Sequence, residues 1–485
     1  MTQQPNILLI LSDQHNPHVL GCAGDEIVRT PNLDRLAARG VRFTQNYCPS
    51  PLCVPSRMAF LTAQHCSDIQ VWSNSCVLSS EVPTFVHNLG IAGYETILCG
   101  RMHFTGADQR HGFHRRIIGD VDPSLGHIPT ATTGQTKISV EVAGPGRTAY
   151  TAYDDAVTET CCEFLKERGQ RNQDRPFFMA VGYVLPHCPF IAPKRLFDEY
   201  FHKVDVPQLP PGYLDDLHPA MRAWRQRRGV DALTDDQVRT ARAAYYGLVT
   251  YTDERMGEVL RTLEGSGLSE NTIVVYTSDH GDMASEHRMW WKSSFYEGSV
   301  GVPLILSWPG NFSEGKSVTE VTSLVDLGPT LLDLVGADPL PFAAGQSLAG
   351  FLDESEGIPD WPNQAFAEHC GLLGDRPGFM VRKGPWKLNY YHGYAAPQLF
   401  NLEEDPGEII DRGKDPTYAE VREELLEVVR SHWSGHDVER AMKRKTKQRA
   451  VFQKWRECIP SERYAKDTAQ ERWKAPPDCN VFPEK

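Results

Sequence analysis

The sequence predicts an α/β protein: a mainly parallel sheet flanked by helices, then a smaller C-terminal α+β subdomain and a long tail. Three features lead to this prediction. Short apolar runs alternate with helical segments, which is the order that parallel sheets require. Several of these runs end directly in polar side chains, and the character of the chain changes near residue 375. A length of 485 residues is enough for one large domain and a smaller one.

The large sheet is predicted from short apolar or extended runs, which are typical of buried parallel strands. The predicted strands are residues 5–12, 41–47, 94–99, 177–184, 272–277 and 302–307. The predicted helices lie between Thr30 and Gly40 and over residues 83–92, 150–168, 234–265, 326–335 and 416–433. Residues 119–147 are rich in Gly, Pro, Thr and Ser and predict a long loop or flap, and residues 205–235 predict an excursion from the core.

The chain after residue 375 is predicted to form a smaller unit. Residues 379–391 hold a turn at 383–385 between two strand-like runs, and residues 398–402 supply a further strand, which together indicate a small antiparallel sheet. We therefore divide the chain into a catalytic α/β domain over 1–375, a C-terminal subdomain over 376–435 and a tail over 436–485. The aromatic residues scattered through the tail indicate that it docks on a surface or mediates oligomerisation.

Charge and cysteine usage limit the classes of partner and compartment. The net charge of −13 argues against nucleic acid and anionic membranes as partners, because both repel a negatively charged protein. No run approaches the length of a membrane span, and no export signal precedes the first strand. The 12 cysteines are scattered without CxxC pairs, which disfavours zinc and a disulfide framework. We therefore expect a cytoplasmic protein with reduced thiols.

The stretch Cys53-Val54-Pro55-Ser56-Arg57 is predicted to begin a helix. Proline is well suited to the first helical turn, and Ser56 to Gln64 supplies helix formers. Cys53 would then lie among free backbone N–H groups that favour negative charge, with Arg57 one turn further on. An anion bound beside Cys53 would meet both groups. The alternative is a buried structural cysteine before an ordinary helix.

Polar residues follow two predicted strands and indicate a metal site. Asp13 and Gln14 follow the first strand, and Asp279 and His280 follow the strand 272–277. The ends of parallel strands converge on one edge of a sheet. Carboxylate and amide oxygens suit calcium, magnesium or manganese, and an imidazole favours manganese or another transition metal. For any single Asp after a strand, the alternative is a helix N-cap.

These residues resemble the motifs of the type I sulfatases, which belong to the alkaline phosphatase superfamily. In that family the cysteine of Cys-x-Pro-Ser-Arg is oxidised to formylglycine, whose hydrate attacks sulfur. The resemblance implies an alkaline-phosphatase-like fold and a maturation enzyme that converts Cys53. It also implies a divalent metal, Mn²⁺ or Ca²⁺ with Mg²⁺ as a further option. The metal ligands that the resemblance implies are Asp13, Gln14, Cys53, Asp279 and His280.

The resemblance also implies which residues supply positive charge and which transfer protons. Gly100-Arg101-Met102-His103 matches a family Gly-Lys-x-His motif, with Arg101 in place of lysine. A guanidinium keeps the positive charge but does not give up a proton. His103 would take the proton whose removal expels sulfate. His187, in Pro186-His187-x-Pro189, would contact sulfate or protonate the leaving oxygen, and Lys292 would neutralise the ester oxygens.

A closer resemblance is to the bacterial choline sulfatases. It covers residues 100–113, the stretch 291–298 and the stretch 398–406, and it implies a tail that docks on neighbouring subunits of a homo-oligomer. Two departures stand out. Residues 117–133 hold no tryptophan, although choline recognition needs an aromatic or carboxylate cage. Leu61-Thr62-Ala63 replaces the usual Leu-Thr-Gly after the cysteine motif.

The sequence therefore predicts a formylglycine-dependent hydrolase of small organic sulfates, such as choline, aryl or alkyl sulfate esters. One alternative is a phosphonate monoester or phosphodiester hydrolase of the same superfamily. A second alternative is a non-catalytic metal-binding protein in which Cys53 stays a thiol.

Overall fold

A mixed eight-stranded sheet forms the centre of the protein in the computed structural model. The structure describes residues 4–121, 132–171, 175–355, 357–370, 374–458, 473, 475–476 and 479–483. Its strands are β1 (Asn6–Asp13), β2 (Val41–Tyr47), β3 (Glu95–Gly100), β4 (Arg115–Ile118), β5 (Gly144–Pro145), β6 (Phe177–Pro186), β7 (Ile191–Ala192), β8 (Thr272–Ser278), β9 (Leu304–Ser307), β10 (Lys316–Ser323), β11 (Gln364–His369), β12 (Gly378–Lys383), β13 (Trp386–Tyr391) and β14 (Gln398–Asn401).

The strand order of the large sheet is β10-β2-β9-β8-β1-β6-β3-β4. All neighbours pair in parallel except β9, which runs antiparallel to both β2 and β8. Every residue of β6 and β8 is buried, as is β1 after its first residue, because helices cover these central strands. The predicted α/β class with a mainly parallel sheet is therefore confirmed, with one reversed strand.

Helices flank this sheet. They are α1 (Pro31–Ala38), α2 (Cys53–Thr62), α3 (Cys66–Ile69), α4 (Phe85–Ile91), α5 (Ile138–Glu141), α6 (Ala149–Gln170), α7 (Lys194–Tyr200), α8 (Pro219–Arg228), α9 (Asp235–Gly265), α10 (Glu297–Val300), α11 (Leu327–Leu334), α12 (Ala419–His432) and α13 (Gly435–Glu457). The long helix α9 packs against α1, α6 and α7, and α2 packs against α4 and α11. None of the helices in the described part of the chain combines the length and the hydropathy of a membrane span.

A second sheet lies in the C-terminal part of the chain. Its order is β11-β12-β13-β14, and all its pairs are antiparallel. Helix α12 packs on β12 and β13, while β11 contacts β2 and β10 of the large sheet. The predicted small antiparallel sheet is therefore present and extends to β11, ahead of residue 375. The division of the chain into three parts stays a prediction.

Four segments differ from the sequence-based expectation or were not anticipated. The excursion over residues 205–235 contains the helix α8, and the strand β10 was not predicted because its residues are mostly polar. Of the predicted flap, residues 122–131 lie outside the described residues, and the rest includes α5 and β5. The tail begins with α13, and its last described residues pair with the body through bridges at Trp473 and Val481.

Candidate active site

Cys53 is the first residue of α2, and every residue of this helix is buried. The N-terminus of α2 is fixed from two sides. The Val54 N–H donates to Asn74 Oδ1 at 3.0 Å, and the Ser56 hydroxyl donates to the carbonyl oxygen of Asp279. The N–H groups of a helix start favour negative charge, so the Cys53 side chain lies where an anion would be stabilised.

Two strand ends and the α2 N-terminus bring four metal-binding groups together. Asp13 ends β1, and Asp279 and His280 directly follow β8, its parallel neighbour. Ligand atoms of these three residues and Cys53 Sγ all lie within 4.8 Å of one another, and all four residues are buried. His280 Nε2 is 3.3 Å from Cys53 Sγ. Carboxylates and an imidazole are donors that Mn²⁺ accepts readily.

In each of the carboxylates of Asp13 and Asp279, one oxygen accepts from Arg57 and the other faces the metal-binding cluster. Arg57 donates to Asp279 Oδ2 at 2.7 Å and to Asp13 Oδ2 at 3.2 Å. The Oδ1 atoms face His280 Nε2, at 3.7 Å from Asp13 and 3.5 Å from Asp279. Two Oδ1 atoms and one imidazole nitrogen therefore point at one location, and the residues present fit a divalent cation.

The hydrogen-bond partner of His280 fixes which of its nitrogens is free to bind metal. Nδ1 lies 2.9 Å from the Gly281 carbonyl oxygen, which only accepts hydrogen bonds, so Nδ1 carries the proton. Burial lowers the pKa of His280 to about 4, so the ring is neutral near pH 7. Its Nε2 lone pair is therefore available as a ligand.

Gln14 lies between the metal-binding cluster and Lys292. Its Oε1 accepts from Lys292 Nζ at 2.8 Å, and its Nε2 donates to Asp282. Its own backbone N–H donates to Asp279 Oδ1 at 3.1 Å. The amide oxygen is thus oriented by Asp282, and a metal ion would share that oxygen with Lys292.

Three buried cations surround Cys53 and the carboxylates. Lys292 Nζ is 3.0 Å from Cys53 Sγ, and Arg101 Nε donates to Asp13 Oδ2 at 2.8 Å. Burial alone would raise the pKa of Asp13, but the charges of Arg101, His187, Lys292 and Arg57 outweigh it and hold that pKa well below its usual range. Asp13 is therefore ionised, and the site as a whole favours a bound oxyanion.

Arg101 and His103 form a second unit with Asp120. Arg101 Nη2 lies 2.9 Å from His103 Nδ1, and Arg101 Nη1 lies 3.3 Å from Asp120 Oδ1. Asp120 Oδ2 accepts from the His103 backbone N–H at 2.8 Å. His103 has a φ of 59°, a left-handed conformation that this hydrogen bond helps to hold. Desolvation, with Arg101 next in effect, keeps the pKa of His103 well below its usual range.

His187 lies beside this centre without a direct hydrogen bond to its residues. It follows β6, and its Nδ1 is 2.6 Å from the Cys188 carbonyl oxygen. The ring packs edge-on against Tyr150, with 6.2 Å between centroids. His187 is close enough for its charge to lower the pKa of Asp13. The structure therefore links the other nine predicted site residues by direct contacts and places His187 near them.

Three residues at the site were not predicted from the sequence. Asp282 accepts from Gln14 and from the backbone N–H of Trp291, at 3.2 Å for the latter. Asp282 completes Ser278-Asp279-His280-Gly281-Asp282, so its position beside two ligands was an available signal. Asp120 and Asn74 lie in loops without a motif, and only the folded chain brings them to the site.

Comparison with known proteins yields consistent matches. The model of the Sulfatase family matches residues 5–337, and the model of the N-sulphoglucosamine sulphohydrolase C-terminal family matches residues 285–433. A choline-sulfatase of Rhizobium meliloti (strain 1021) is 34% identical over 439 residues, covering 86% of this chain and 83% of that protein. Arylsulfatase K of Danio rerio is 29% identical, covering 97% and 91%.

The fold has solved counterparts as well. The crystal structure of a phosphonate monoester hydrolase of Agrobacterium radiobacter superposes with a TM-score of 0.75 at 24% identity. The superposition covers 88% of this chain and 95% of that one. At this identity the likeness concerns the fold alone.

Proposed function

The chain belongs to the sulfatase family, and on that premise we propose that Cys53 matures to formylglycine and supplies the nucleophile for sulfate ester hydrolysis. The protein is a sulfuric ester hydrolase. The observation that carries the proposal is the surroundings of Cys53 Sγ, with Lys292 Nζ at 3.0 Å, His280 Nε2 at 3.3 Å and Asp13 Oδ1 at 3.7 Å. A hydrated aldehyde there would offer two hydroxyl groups beside a cation and a metal site.

We further propose that one divalent ion, Mn²⁺ or Ca²⁺ with Mg²⁺ as a further option, is held by Asp13, Gln14, residue 53, Asp279 and His280. When bound, it would polarise a sulfuryl oxygen and lower the pKa of a hydroxyl group. The Oδ1 atoms of the two carboxylates and the Nε2 lone pair of His280 support this ligand set. The match to the sulfatase family implies a divalent metal, and the buried cluster supplies ligands for it, but neither identifies which ion is bound.

The chain's own cations would bind the sulfate group. Lys292 and Arg101 supply positive charge on the side of Cys53 and Asp13, and Arg57 orients both carboxylates. Donors fixed before the substrate arrives stabilise developing negative charge without reorganisation. These side chains are buried and held by ion pairs, so the site is preorganised for a tetrahedral oxyanion.

For the substrate we propose a small organic sulfate ester, with choline, aryl and alkyl sulfates as the class. The similarity to a choline-sulfatase and to arylsulfatases supports this class. The absence of tryptophan from residues 117–133, most of which lie outside the described residues, weakens the specific case for choline. Which alcohol the enzyme releases from its sulfate ester therefore needs a direct test.

The test compares kcat/KM for 4-nitrophenyl sulfate, choline sulfate and a matched aryl phosphonate monoester. We expect the highest value for a sulfate ester, and a Cys53→Ala control without turnover of any of them. A higher kcat/KM for the phosphonate ester would identify the superfamily alternative instead. Turnover by neither parent nor control, with metal bound and Cys53 a thiol, would identify a non-catalytic metal-binding protein.

Two further proposals concern partners and compartment. None of the 12 cysteines is paired in a disulfide, which supports a reducing compartment such as the cytoplasm, where a formylglycine-generating enzyme would act on Cys53. The second half of α13 exposes Val451 and Phe452, at 66% and 60%, which supports a homo-oligomer with this helix in the interface. Truncation after residue 435 is expected to reduce the assembly mass in sedimentation. An unchanged number of subunits would contradict the interface.

A further inference from the structure

Lys292 is presented by a backbone that has a left-handed residue on each side of it. Trp291 has a φ of 61° and Ser293 a φ of 67°. This conformation is uncommon for residues with a β-carbon, and it persists only where the surroundings hold it. A lysine ammonium group sits on a flexible four-carbon stem, so the position of Nζ depends on the backbone that carries it. The contacts that hold Trp291 and Ser293 therefore help to decide where Lys292 Nζ lies.

The backbone N–H groups of both flanking residues are held by loops of the active site. The Trp291 N–H donates to Asp282 Oδ1 at 3.2 Å, and the Ser293 N–H donates to the Pro51 carbonyl oxygen at 3.1 Å. These two bonds anchor the main chain on either side of Lys292 to the loop after β8 and to the loop before α2. They place no constraint on the side chains of the two flanking residues.

The side chain of Trp291 is held by Ser139 of α5. The indole Nε1–H donates to Ser139 Oγ at 2.8 Å, and both residues are fully buried. The Ser139 hydroxyl donates in turn to the Thr136 carbonyl oxygen at 3.1 Å, so the oxygen presents a lone pair to the indole. Because a buried N–H without an acceptor is costly, this hydrogen bond ties Trp291 to α5.

The side chain of Ser293 is held by Gln135, which precedes α5. Gln135 Nε2 donates to Ser293 Oγ at 3.1 Å. Arg228 Nε donates to Gln135 Oε1 at 3.3 Å, and this contact fixes which end of the amide faces Ser293. Arg228 is itself oriented by Asp375, with 2.7 Å between Nη2 and Oδ2. The segment 135–139 therefore contacts the residue on each side of Lys292.

From these contacts we propose that Gln135 and Ser139 are positioning residues for Lys292, which hold its two neighbours in the left-handed conformation and so keep Nζ beside residue 53. The proposal deepens the proposed function and rests on it. Lys292 Nζ lies 3.0 Å from Cys53 Sγ and 2.8 Å from Gln14 Oε1. Without these side-chain contacts, the flanking residues can return to a negative φ, which turns the peptide groups beside residue 292 and displaces the ammonium group. A displaced donor no longer stabilises the charge that develops on the sulfate group.

A Lys292→Met background tests whether the two residues act through Lys292. In the parent enzyme, Gln135→Leu combined with Ser139→Ala should lower kcat/KM at least tenfold for the sulfate ester that the parent hydrolyses best. In Lys292→Met, which has no ammonium group to displace, the same pair of changes should cost less than twofold. Glu141→Gln, at an exposed position of α5, is the control. Equal losses in the two backgrounds would overturn the positioning role.

A conservative variant and a binding measurement extend this test. Ser139→Thr keeps the hydroxyl group and should keep at least half of the parent's kcat, whereas Ser139→Ala should lose threefold or more. In metal-loaded Cys53→Ala protein, calorimetry with inorganic sulfate should show at least fivefold weaker binding for the paired variant. That loss should fall below twofold when Lys292→Met is also present. Ser139→Thr as impaired as Ser139→Ala would overturn the role of the hydroxyl group.

The outcomes also separate this proposal from the proposed function. A parent enzyme that hydrolyses no sulfate ester overturns the proposed function. An active parent whose kcat/KM is unchanged by the paired substitution of Gln135 and Ser139 overturns only the positioning role. Melting temperatures of all variants within a few degrees of their parents exclude unfolding as the cause. If the paired variant does not fold, each single change is measured in both backgrounds, and the same comparison applies.

Discussion

Lys292 Nζ lies 3.0 Å from Cys53 Sγ, inside a site where both residues are buried. Burial alone would lower the pKa of Lys292, but its proximity to Cys53, Asp13 and Asp279 outweighs burial and raises that pKa above its usual value. The ammonium group therefore stays charged next to the atom that would carry the nucleophile. Under the proposed function, a sulfate group bound at residue 53 would meet this positive charge.

Lys292→Met is accordingly expected to reduce kcat for sulfate esters about a hundredfold or more, because it removes one preorganised donor from the site. Lys194→Met is the control, since Lys194 is an exposed lysine whose ion pair, within the part of the chain that the structure describes, is with Asp198 alone. Steady-state kinetics of both variants test this expectation. A Lys292→Met enzyme with the kcat of the control would remove Lys292 from catalysis.

His280→Ala is expected to lose bound metal and activity together, because its Nε2 completes the cluster with Asp13 and Asp279. A ligand present at a hundred times its Kd adds about 2.7 kcal/mol to the free energy of unfolding. EDTA should therefore lower the melting temperature of the parent but not of His280→Ala. Metal content by elemental mass spectrometry is the direct measurement, with the exposed His18→Ala as control. Full metal occupancy in His280→Ala would exclude this ligand.

Lys387→Met should destabilise the protein strongly. Lys387 lies on β13 and is fully buried, with Glu297 Oε1 at 2.6 Å and Glu408 Oε1 at 2.9 Å. Removing its charge leaves buried carboxylates unpaired, at a cost of about 3–5 kcal/mol. Lys383→Met on the neighbouring strand is a matched control, because its pair with Glu424 is exposed and contributes little. Equal melting temperatures for the two variants would contradict this assignment.

Asp154 makes the stability of the fold dependent on pH. Burial raises the pKa of Asp154 to about 8, against backbone hydrogen bonds from Val184 and Leu185 that lower it. Between its unfolded pKa near 3.8 and about 8, the folded state binds more protons than the unfolded state, so stability falls as pH rises. The slope is at most about 1.4 kcal/mol per pH unit for one group.

Thermal unfolding from pH 5 to pH 8 tests this linkage. The melting temperature of the parent should fall across this range, and that of Asp154→Asn should fall less, because asparagine has no proton to lose. Identical pH profiles for the two proteins would show that Asp154 does not titrate in this range.

The positions of Asp13, Asp279 and His280 followed from the sequence because each comes directly after an apolar run. Because β1 and β8 pair in parallel, their carboxyl ends lie at the same edge of the sheet, and these side chains meet there. The direction of β9 was not predictable in this way, since an apolar run is equally compatible with either direction. The strand β10 was missed because its exposed edge is polar and breaks the apolar pattern.

Contacts between side chains from distant loops could not be predicted from the sequence either. Asp120 reaches Arg101 and His103 only because the loop after β4 returns to the end of β3. The pairing of Gln14 with Lys292 and Asp282 depends on how these buried side chains are oriented in the folded protein. The motifs therefore predicted which residues gather, whereas the pairings between their side chains required the folded geometry.

Mass spectrometry of the tryptic peptide 43–57 tests the central claim most directly. The peptide holds Cys48 and Cys53, so alkylation gives an internal control. In active enzyme we predict an alkylated Cys48 and, at residue 53, an unalkylated aldehyde in which oxygen has replaced sulfur. A fully active preparation in which both residues are alkylated thiols would contradict the formylglycine mechanism.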